Sequence, residues 1–283
     1  MIIVKRKIGN EEFYYIQYTY RKNKKPVTIS KYLGKKLPSQ QEIENLKKKL
    51  LFEQKQELYK KLESVKEKFQ KNWQKIPESV KEQQLHEIAI AFTYNTNAIE
   101  GSTITLEDTR EIIEQRIAPK KPMRDIKETE NHAKVFLQML KKPEQITVSL
   151  ILHWHKELFE ETKLEIAGVF RDYLVRVGDY RAPDWQDVEK LMNEFIKKIE
   201  KEYENPVEHA ARIHYHFEKI HPFGDGNGRV GRLLMNHILW HARYPMLIIE
   251  YKKRASYYKA LKDEERFVKY FIRRYLAVHQ SSL

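Results

Sequence analysis

The sequence contains no cysteine and no long apolar run. The absence of cysteine excludes disulfides and zinc sites built from thiolates. The apolar runs, such as Leu150–Leu152 and Met246–Ile249, are far shorter than the roughly 20 residues of a membrane-spanning helix. The basic stretch Lys5–Lys7 interrupts Met1–Val4 at once, so no signal peptide is predicted. We expect a soluble cytoplasmic protein with no membrane partner.

Acidic residues are few relative to basic ones, and most of the imbalance is at the N-terminus. The net charge is +13, and residues 1–40 contain ten basic residues but only Glu11 and Glu12 as acids. Nucleic-acid-binding surfaces combine basic charge with interleaved tyrosines in this way, but solvated strand faces use the same residues. We favour the solvated face and keep a DNA-associated regulator, acting through residues 1–40, as the alternative.

The same basic segment shows strand-like alternation. The alternating stretches are Ile2–Val4, Phe13–Tyr20 and Val27–Leu33, and the turn signals are Gly9–Asn10 and Lys22–Lys24. Short alternating runs bounded by turn residues are typical of antiparallel strands. We therefore predict a three-stranded β-meander as the first domain, residues 1–38.

From Ser39 the apolar period becomes helical. Ser39 and Glu42 make a capping box, and apolar residues then recur every three or four positions. They are Ile43, Leu46, Leu50, Leu58, Leu62, Val65 and Phe69. A long amphipathic helix or a helical hairpin is predicted in residues 39–84. We expect its apolar stripe to pack within the chain, and a homodimer formed through that stripe is the alternative.

The stretch richest in chemistry is His221–Arg232, with the sequence His-Pro-Phe-Gly-Asp-Gly-Asn-Gly-Arg-Val-Gly-Arg. Helical periods precede and follow it, which predicts a tight loop between two buried helices. Its residues that tolerate positive φ are Gly224, Gly226, Asn227 and Gly228. Such residues can turn backbone N–H groups inward as an anion-binding nest at the start of the second helix. Arg229 and Arg232 share a helix face, so both can reach a polyphosphate.

Two side chains of this loop are candidates for chemistry. Asp225 would be repelled by phosphate unless a hard cation bridged them, which predicts Mg²⁺ held by one carboxylate plus ligand oxygens. His221 stands at the end of the preceding helix, where a neutral imidazole can accept a proton from an incoming hydroxyl. Phe223 is expected to anchor the loop in the core. The pattern indicates an enzyme that acts on a polyphosphate.

The string from His221 to Arg232 resembles the signature of the Fic (filamentation induced by cAMP) family, H-P-F-x-D/E-G-N-G/K-R-x-x-R, at every defined position. The resemblance implies a mainly α fold, a Fic-type helical bundle in residues 85–283 with a small β-hairpin flap. It implies transfer of AMP from ATP, with Mg²⁺, to a Ser, Thr or Tyr hydroxyl of a target protein. Gly-Asn-Gly stands where the Doc kinases typically have Ala-Asn-Lys. Removal of AMP, or another nucleotidyl or phosphoryl transfer at the same site, stays open.

The resemblance also implies a role for each loop residue. His221 would be the catalytic base, and Asp225 would hold Mg²⁺. The backbone of Gly226–Gly228 would bind the α- and β-phosphates. Arg229 and Arg232 would neutralise the charge of the β- and γ-phosphates.

Thr96-Asn-Ala-Ile-Glu-Gly101 resembles the inhibitory motif of the family, S/T-x-x-x-E-G/N, at the end of a helix predicted over about 85–101. In the family this glutamate pairs with the second motif arginine, here Arg232, and occupies space that the ATP γ-phosphate needs. A glutamate at a helix C-terminus is also unfavourable against the dipole, so a cationic partner is expected. The alternative is that Glu100 is an ordinary exposed residue before a C-capping glycine, Gly101.

Two further elements fit the family pattern. Ala167-Gly-Val-Phe-Arg171 precedes an alternating stretch with a turn signal at Gly178–Asp179, so a short β-hairpin is predicted at about 172–183. The alternating residues are Leu174, Val175, Arg176 and Val177. In the family such a hairpin is a flap whose backbone edge docks the target, although it could be an ordinary connection. Tyr258 matches by position an aromatic residue that the family places beside adenine.

Overall fold

The computed structural model describes residues 1–22, 25–201 and 203–279. The chain forms two compact units, Met1–Lys61 and Leu62–Leu283. Most of the turn predicted at 22–24 lies outside the described residues. The predicted domain boundaries after residues 38 and 84 stay a prediction.

An antiparallel meander opens the first unit. Its strands are β1 (Ile2–Ile8), β2 (Glu11–Lys22) and β3 (Lys25–Gly34), in that spatial order. Gly9 has a φ of +62°, which suits the tight turn between β1 and β2. The register sets Ile16 opposite both Ile3 and Lys31, and it shifts between Tyr14 and Tyr15. The meander predicted from the alternation is therefore confirmed.

One continuous helix, α1 (Gln40–Trp73), follows the sheet. The capping box forms as predicted: the Ser39 N–H donates to the Glu42 carboxylate at 2.8 Å, and the Glu42 N–H donates to Ser39 Oγ at 3.3 Å. Within the second unit, Leu62 and Val65 of its apolar stripe are buried. The Trp73 ring lies 5.5 Å, edge to face, from that of Trp240. This end of the stripe packs within the chain.

The rest of the second unit is built from helices. They are α2 (Glu78–Ile99), α3 (Leu106–Arg110), α4 (Met123–Lys141), α5 (Val148–Phe159), α6 (Val188–Ile199), α7 (Pro206–Ile220), α8 (Asn227–His241), α9 (Arg254–Ala260) and α10 (Glu264–His279). A hairpin of two very short strands, β4 (Arg176–Val177) and β5 (Tyr180–Arg181), lies between α5 and α6. The mainly α fold with small antiparallel sheets confirms the predicted fold class. Among the described residues, no helix is both long enough and apolar enough to cross a membrane.

Helices α7 and α8 lie at the centre of this unit and position the loop between them. Asn205 caps α7 by accepting the Val207 N–H at 2.9 Å, and Pro206 occupies the first turn, where its missing N–H costs nothing. Almost every residue of α8 is buried, as in a helix surrounded by protein. Burial of a side chain such as Phe217 or Leu233 contributes about 2 kcal/mol. The loop is therefore fixed at both ends by the core.

Candidate active site

His221 ends α7 in the left-handed conformation, with a φ of +51°. This conformation is uncommon for a residue with a Cβ, so it must be held by its surroundings. The His221 N–H donates to Phe217 O at 2.9 Å, and its carbonyl accepts from Arg171 Nε at 2.8 Å. The predicted catalytic residue is thus fixed through its backbone.

The imidazole of His221 is largely buried, and its tautomer follows from its partner. Nδ1 lies 3.4 Å from the Glu218 carbonyl, which can only accept, so Nδ1 carries the proton and Nε2 has a free lone pair. Burial lowers the pKa of His221 below its ordinary value. The ring is therefore neutral near pH 7, and its Nε2 can act as a base.

The loop after His221 is stabilised by Asn227 and Phe223. The Asn227 side chain accepts the Phe223 N–H at 2.9 Å and donates to the Phe223 carbonyl at 2.8 Å. The Phe223 ring is fully buried, as predicted, and stacks on His155 at 3.7 Å. His155 also bonds the Asp225 carbonyl through Nε2 at 3.0 Å. The loop is braced from inside by side chains of two helices.

The anion-binding part of the loop differs in one respect from the prediction. Among the four residues expected to turn N–H groups inward, only Gly226 has a positive φ, +81°. Gly224 does not, and Asn227 and Gly228 belong to the first turn of α8. The nest is therefore the N-terminus of α8, whose first N–H groups lack partners within the helix and carry the positive end of its dipole.

Asp225, the predicted metal ligand, is bound by cations of the protein. Its Oδ2 lies 2.5 Å from Lys163 Nζ and its Oδ1 lies 3.3 Å from Arg229 Nη2. Burial opposes ionisation, but Arg229 and Lys163 lower the pKa of Asp225 to about 2. The carboxylate is 42% exposed, and in the described part of the chain no three metal-binding side chains converge. This donor set suits Mg²⁺ only if phosphate oxygens and water complete the coordination and Lys163 releases the carboxylate.

Arg229 is buried and makes ion pairs that the sequence did not predict. Its Nη1 donates to the Glu128 carboxylate of α4, and its guanidinium lies 4.5 Å from the centre of the Phe159 ring. Lys163 also approaches Glu128, at 3.0 Å. Because Glu128 precedes the loop by about a hundred residues and belongs to no motif, only the tertiary structure reveals this cluster.

Arg232 is almost completely buried and pairs with the predicted inhibitory segment. Its Nη2 donates to Glu100 Oε1 at 2.5 Å and to the Thr96 carbonyl at 3.2 Å, and its Nε donates to Thr96 Oγ1. Burial opposes the charge of the guanidinium, but Glu100 raises the pKa of Arg232 above its ordinary value. The predicted pairing of Glu100 with Arg232 is present, and its inhibitory effect stays a prediction.

The Glu100 carboxylate lies directly on the first turn of α8. Helix α2 ends in a Schellman motif, in which Gly101 has a φ of +90° and the Ser102 N–H donates to Asn97 O at 3.0 Å. This turn directs Glu100 toward Gly228, where an added Cβ would overlap its carboxylate. An anion of the protein thus occupies the helix N-terminus that would attract phosphate.

Arg171, the last residue of the Ala167–Arg171 stretch, joins the hairpin to the loop. Besides the His221 carbonyl, its guanidinium donates to Tyr173 O at 2.9 Å and to Pro183 O at 2.6 Å. Its N–H donates to Pro222 O at 3.0 Å. One buried side chain therefore holds both ends of the hairpin and the start of the loop.

The predicted flap is present, with strands of only two residues each. Leu174 and Val175 precede β4, and Ala182 N donates to Val175 O at 3.1 Å. Leu174, Arg176 and Val177 have exposed side chains. Tyr180 OH donates to Lys219 O at 2.7 Å, which connects the hairpin to α7. The hairpin offers an open backbone edge beside the loop.

A cavity of about 570 Å³ lies between the flap, the end of α7 and α9. Of the predicted site residues, His221, Val177 and Tyr258 line it. Tyr258 is half-exposed, and its hydroxyl donates to the Ile99 carbonyl at 3.2 Å. The volume lies within the range of small-molecule sites, about 300–1,000 Å³. The other predicted flap residues, Leu174, Val175 and Arg176, do not line the cavity.

Glu218 also lines this cavity and was not predicted. Its Oε2 lies 4.0 Å from His221 Nδ1, and its Oε1 lies 3.7 Å from His214 Nε2. In the described part of the chain Oε1 has no hydrogen-bond partner. Burial raises the pKa of Glu218 to about 7. Within the helical pattern of α7 nothing distinguishes this residue from a surface glutamate.

Glu218→Gln is expected to flatten the pH dependence of stability. A folded-state pKa of about 7 lies above the value of roughly 4.5 in an unfolded chain, so wild type loses stability as the pH rises between these values. The variant lacks this loss, so its free energy of unfolding relative to that of wild type should rise by about 2–3 kcal/mol between pH 5 and pH 8. Urea unfolding at both pH values measures the gain. An equal difference in unfolding free energy between variant and wild type at pH 5 and at pH 8 would contradict this prediction. Glu189→Gln, at an exposed position, is the matched control.

Known proteins resemble this chain in sequence and in fold. Residues 145–239 match the Fic/DOC family. A protein adenylyltransferase Fic from Nematostella vectensis is 39% identical over 176 residues, 59% of this chain and 41% of the relative. One from Drosophila ananassae is 38% identical over 181 residues, 60% of this chain and 35% of the relative.

Fic-1 from C. elegans has a solved structure with a TM-score of 0.69 and 26% identity, covering 86% of this chain and 76% of that chain. The chain spans about two-fifths of the length of the curated relatives or slightly less. The signature at His221–Arg232 falls inside the matched residues. The chain therefore contains a region, residues 145–239, that matches the Fic/DOC family.

Proposed function

We propose that the protein is a protein adenylyltransferase, which transfers AMP from ATP to a Ser, Thr or Tyr hydroxyl of a target protein. One observation carries the proposal: a neutral imidazole, His221, lies beside the N-terminus of α8, where Arg229 and Arg232 are buried. Such an arrangement can bind a polyphosphate and accept a proton from a nucleophile next to it. The curated relatives that match the chain bear this activity in their names.

The triphosphate of ATP would lie on the first turn of α8. The backbone N–H groups of Gly226–Gly228 would bind phosphate oxygens, and Arg229 and Arg232 would neutralise their charge. Asp225 would hold Mg²⁺ together with those oxygens. When bound, the ion would supply further positive charge to the phosphates. The adenine would enter the cavity beside Tyr258, whose ring offers a face for stacking.

His221 would activate the target hydroxyl. Its Nε2 accepts the hydroxyl proton while the oxygen attacks the α-phosphorus of ATP. The new oxygen–phosphorus bond forms as the bond from the α-phosphorus to the bridging oxygen breaks, and pyrophosphate leaves. The Glu218 carbonyl, which accepts from Nδ1, keeps the ring in the required tautomer and stabilises the imidazolium that forms.

The flap would align the target. Its strands are short and their backbone edge is open, so an extended segment of a target can add to β4 or β5 by main-chain hydrogen bonds. Leu174 and Val177 would provide apolar contacts to that segment, since both are nearly half-exposed. Main-chain pairing fixes the register without demanding much sequence, and it would bring one hydroxyl to His221.

Glu100 would keep the resting enzyme slow. Its carboxylate pairs with Arg232 and lies on the first turn of α8, so a triphosphate can bind there productively only if Glu100 moves away.

The enzyme would act in the cytoplasm, where ATP is abundant. Removal of AMP is the second candidate, because Glu100 lies where it could also position a water molecule near the α8 N-terminus. A homodimer through α1 remains an additional proposal.

ATP labelled at the α- or the γ-phosphate distinguishes AMP transfer from phosphoryl transfer. The Glu100→Gly variant is incubated with Mg²⁺, a cell lysate and one of the two labelled forms of ATP. It is expected to attach at least about tenfold more α-label than γ-label to protein. The label on protein bands after denaturing electrophoresis measures the ratio. Retention of the γ-label on protein would indicate a kinase and would overturn the proposal. The double variant Glu100→Gly with His221→Asn measures the label that is incorporated without the proposed base.

A further inference from the structure

The two faces of the N-terminal sheet differ in burial. Side chains of β2 alternate, so Ile16 and Tyr14 share one face while Tyr15 and Phe13 share the other. Ile16 has no exposed surface, whereas Tyr32, which pairs with Tyr15 on the second face, is 50% exposed. The face of Tyr15 and Tyr32 is therefore the open one.

The open face bears a continuous row of rings and cations, which we name the aromatic strip: Arg6, Phe13, Tyr15, Tyr32 and Lys35. The Tyr32 ring lies 5.4 Å from that of Tyr15 and 6.1 Å from that of Phe13. The Arg6 guanidinium lies 4.9 Å from the centre of the Tyr15 ring, and Lys35 Nζ lies 5.8 Å from that of Phe13. Three aromatic rings in contact are thus bordered by a cation at each end.

The charge around the strip is predominantly positive. Both acids of residues 1–40 have cationic partners: Glu12 lies 2.5 Å from Lys5, and Glu11 lies 2.6 Å from Lys35. These pairs are exposed and therefore weak. Among the described residues, Arg6 has no acidic partner, and neither has Lys36, which follows β3. In the strand register Lys7 and Lys31 pair with Glu12 and Ile16, so they lie on the opposite face of the sheet. The segment keeps its surplus of positive charge after these two ion pairs are counted.

We propose that the aromatic strip binds single-stranded nucleic acid. Unpaired bases would stack on Tyr32 and its neighbouring rings, while phosphates would lie against Arg6 and Lys35 at the two ends of the strip. Stacking of this kind is tolerant of sequence, because every base has an aromatic face, and it requires bases that are not already stacked in a duplex. The role is separate from the proposed enzymatic activity and does not depend on it.

Fluorescence anisotropy with the full chain tests the proposal. The probe is a labelled 20-nucleotide single-stranded DNA of mixed sequence, compared with the same sequence as a duplex. The single strand is expected to bind at least about tenfold more tightly than the duplex, and its affinity should fall steeply between 50 and 200 mM salt as counterion release predicts.

Two double variants, each of which removes one positive charge and one tyrosine ring, separate the faces. Arg6→Gln with Tyr32→Leu alters the open face, and Lys5→Gln with Tyr14→Leu alters residues that pair with each other on the opposite face. The first is expected to weaken binding about tenfold or more and the second less than about twofold. Thermal melts confirm that both are folded. Absence of binding at low salt, equal losses in the two variants, or preference for the duplex would each overturn the proposal.

Discussion

Glu100→Gly should label itself or proteins of a lysate with α-labelled ATP at least about tenfold more than wild type. The carboxylate lies 2.5 Å from Arg232 and against Gly228, so its removal frees a buried guanidinium and the first turn of α8. The substitution is tolerable at this position, because residue 100 follows the last residue of α2 and a glycine there does not interrupt the helix. The measurement is the initial rate of label incorporation with Mg²⁺.

Glu100→Gln divides this effect into charge and volume. The amide fills the same space but lacks the negative charge that attracts Arg232, so its rate should lie between those of wild type and the glycine variant. The melting temperature of each variant shows whether the site is intact, since Arg232 then lacks its carboxylate partner. Equal, weak labelling by wild type and Glu100→Gly would remove Glu100 from any inhibitory role.

Loss of the base is expected to have the opposite and larger effect. In the Glu100→Gly background, His221→Ala should reduce labelling by about 10²–10⁴-fold, the usual contribution of a general base. ATP should still bind with an affinity within about threefold, because the phosphate site is made by α8 and its arginines. Incorporation of label and calorimetric titration with ATP measure the two quantities separately.

The backbone at His221 requires a second variant. Its φ of +51° disfavours alanine, whereas asparagine tolerates this conformation, so His221→Asn removes the base with less strain. His216→Asn, five residues earlier and on α7, is the matched control and should keep its activity. Transfer that persists in both His221 variants would exclude His221 as the base.

Local patterns in the sequence were sufficient to predict several secondary-structure elements, and the resemblance to family motifs predicted one long-range contact. A capping box, apolar periods and strand alternation each depend on neighbouring residues, so they predicted the meander, α1, α2 and the two helices beside the loop, α7 and α8. The approach of Glu100 to Arg232 was predicted because both belong to motifs of one family. Their contact shows that α2 and α8 meet as that resemblance implied.

The other charges of the site depend on packing that no local pattern encodes. Glu128 and Lys163 lie far from the loop in sequence, and they reach Arg229 and Asp225 only because α4 and the end of α5 pack beside α8. Likewise, histidine does not favour the left-handed conformation at His221. The conformation is held because Arg171 Nε donates a hydrogen bond to the His221 carbonyl. In this site, then, the residue types indicated the chemistry, whereas tertiary packing determined which charged side chains pair with Arg229 and Asp225.

The contacts of Arg171 bear on how the specificity of this chain can diverge. Its three guanidinium bonds described above all end on main-chain oxygens, at Tyr173, Pro183 and His221. Replacement of the exposed side chains at Leu174 or Val177 leaves those oxygens in place. Under the proposed function, changes in the choice of target would therefore be uncoupled from the alignment of the imidazole, so the hairpin could evolve toward new targets while His221 keeps its position.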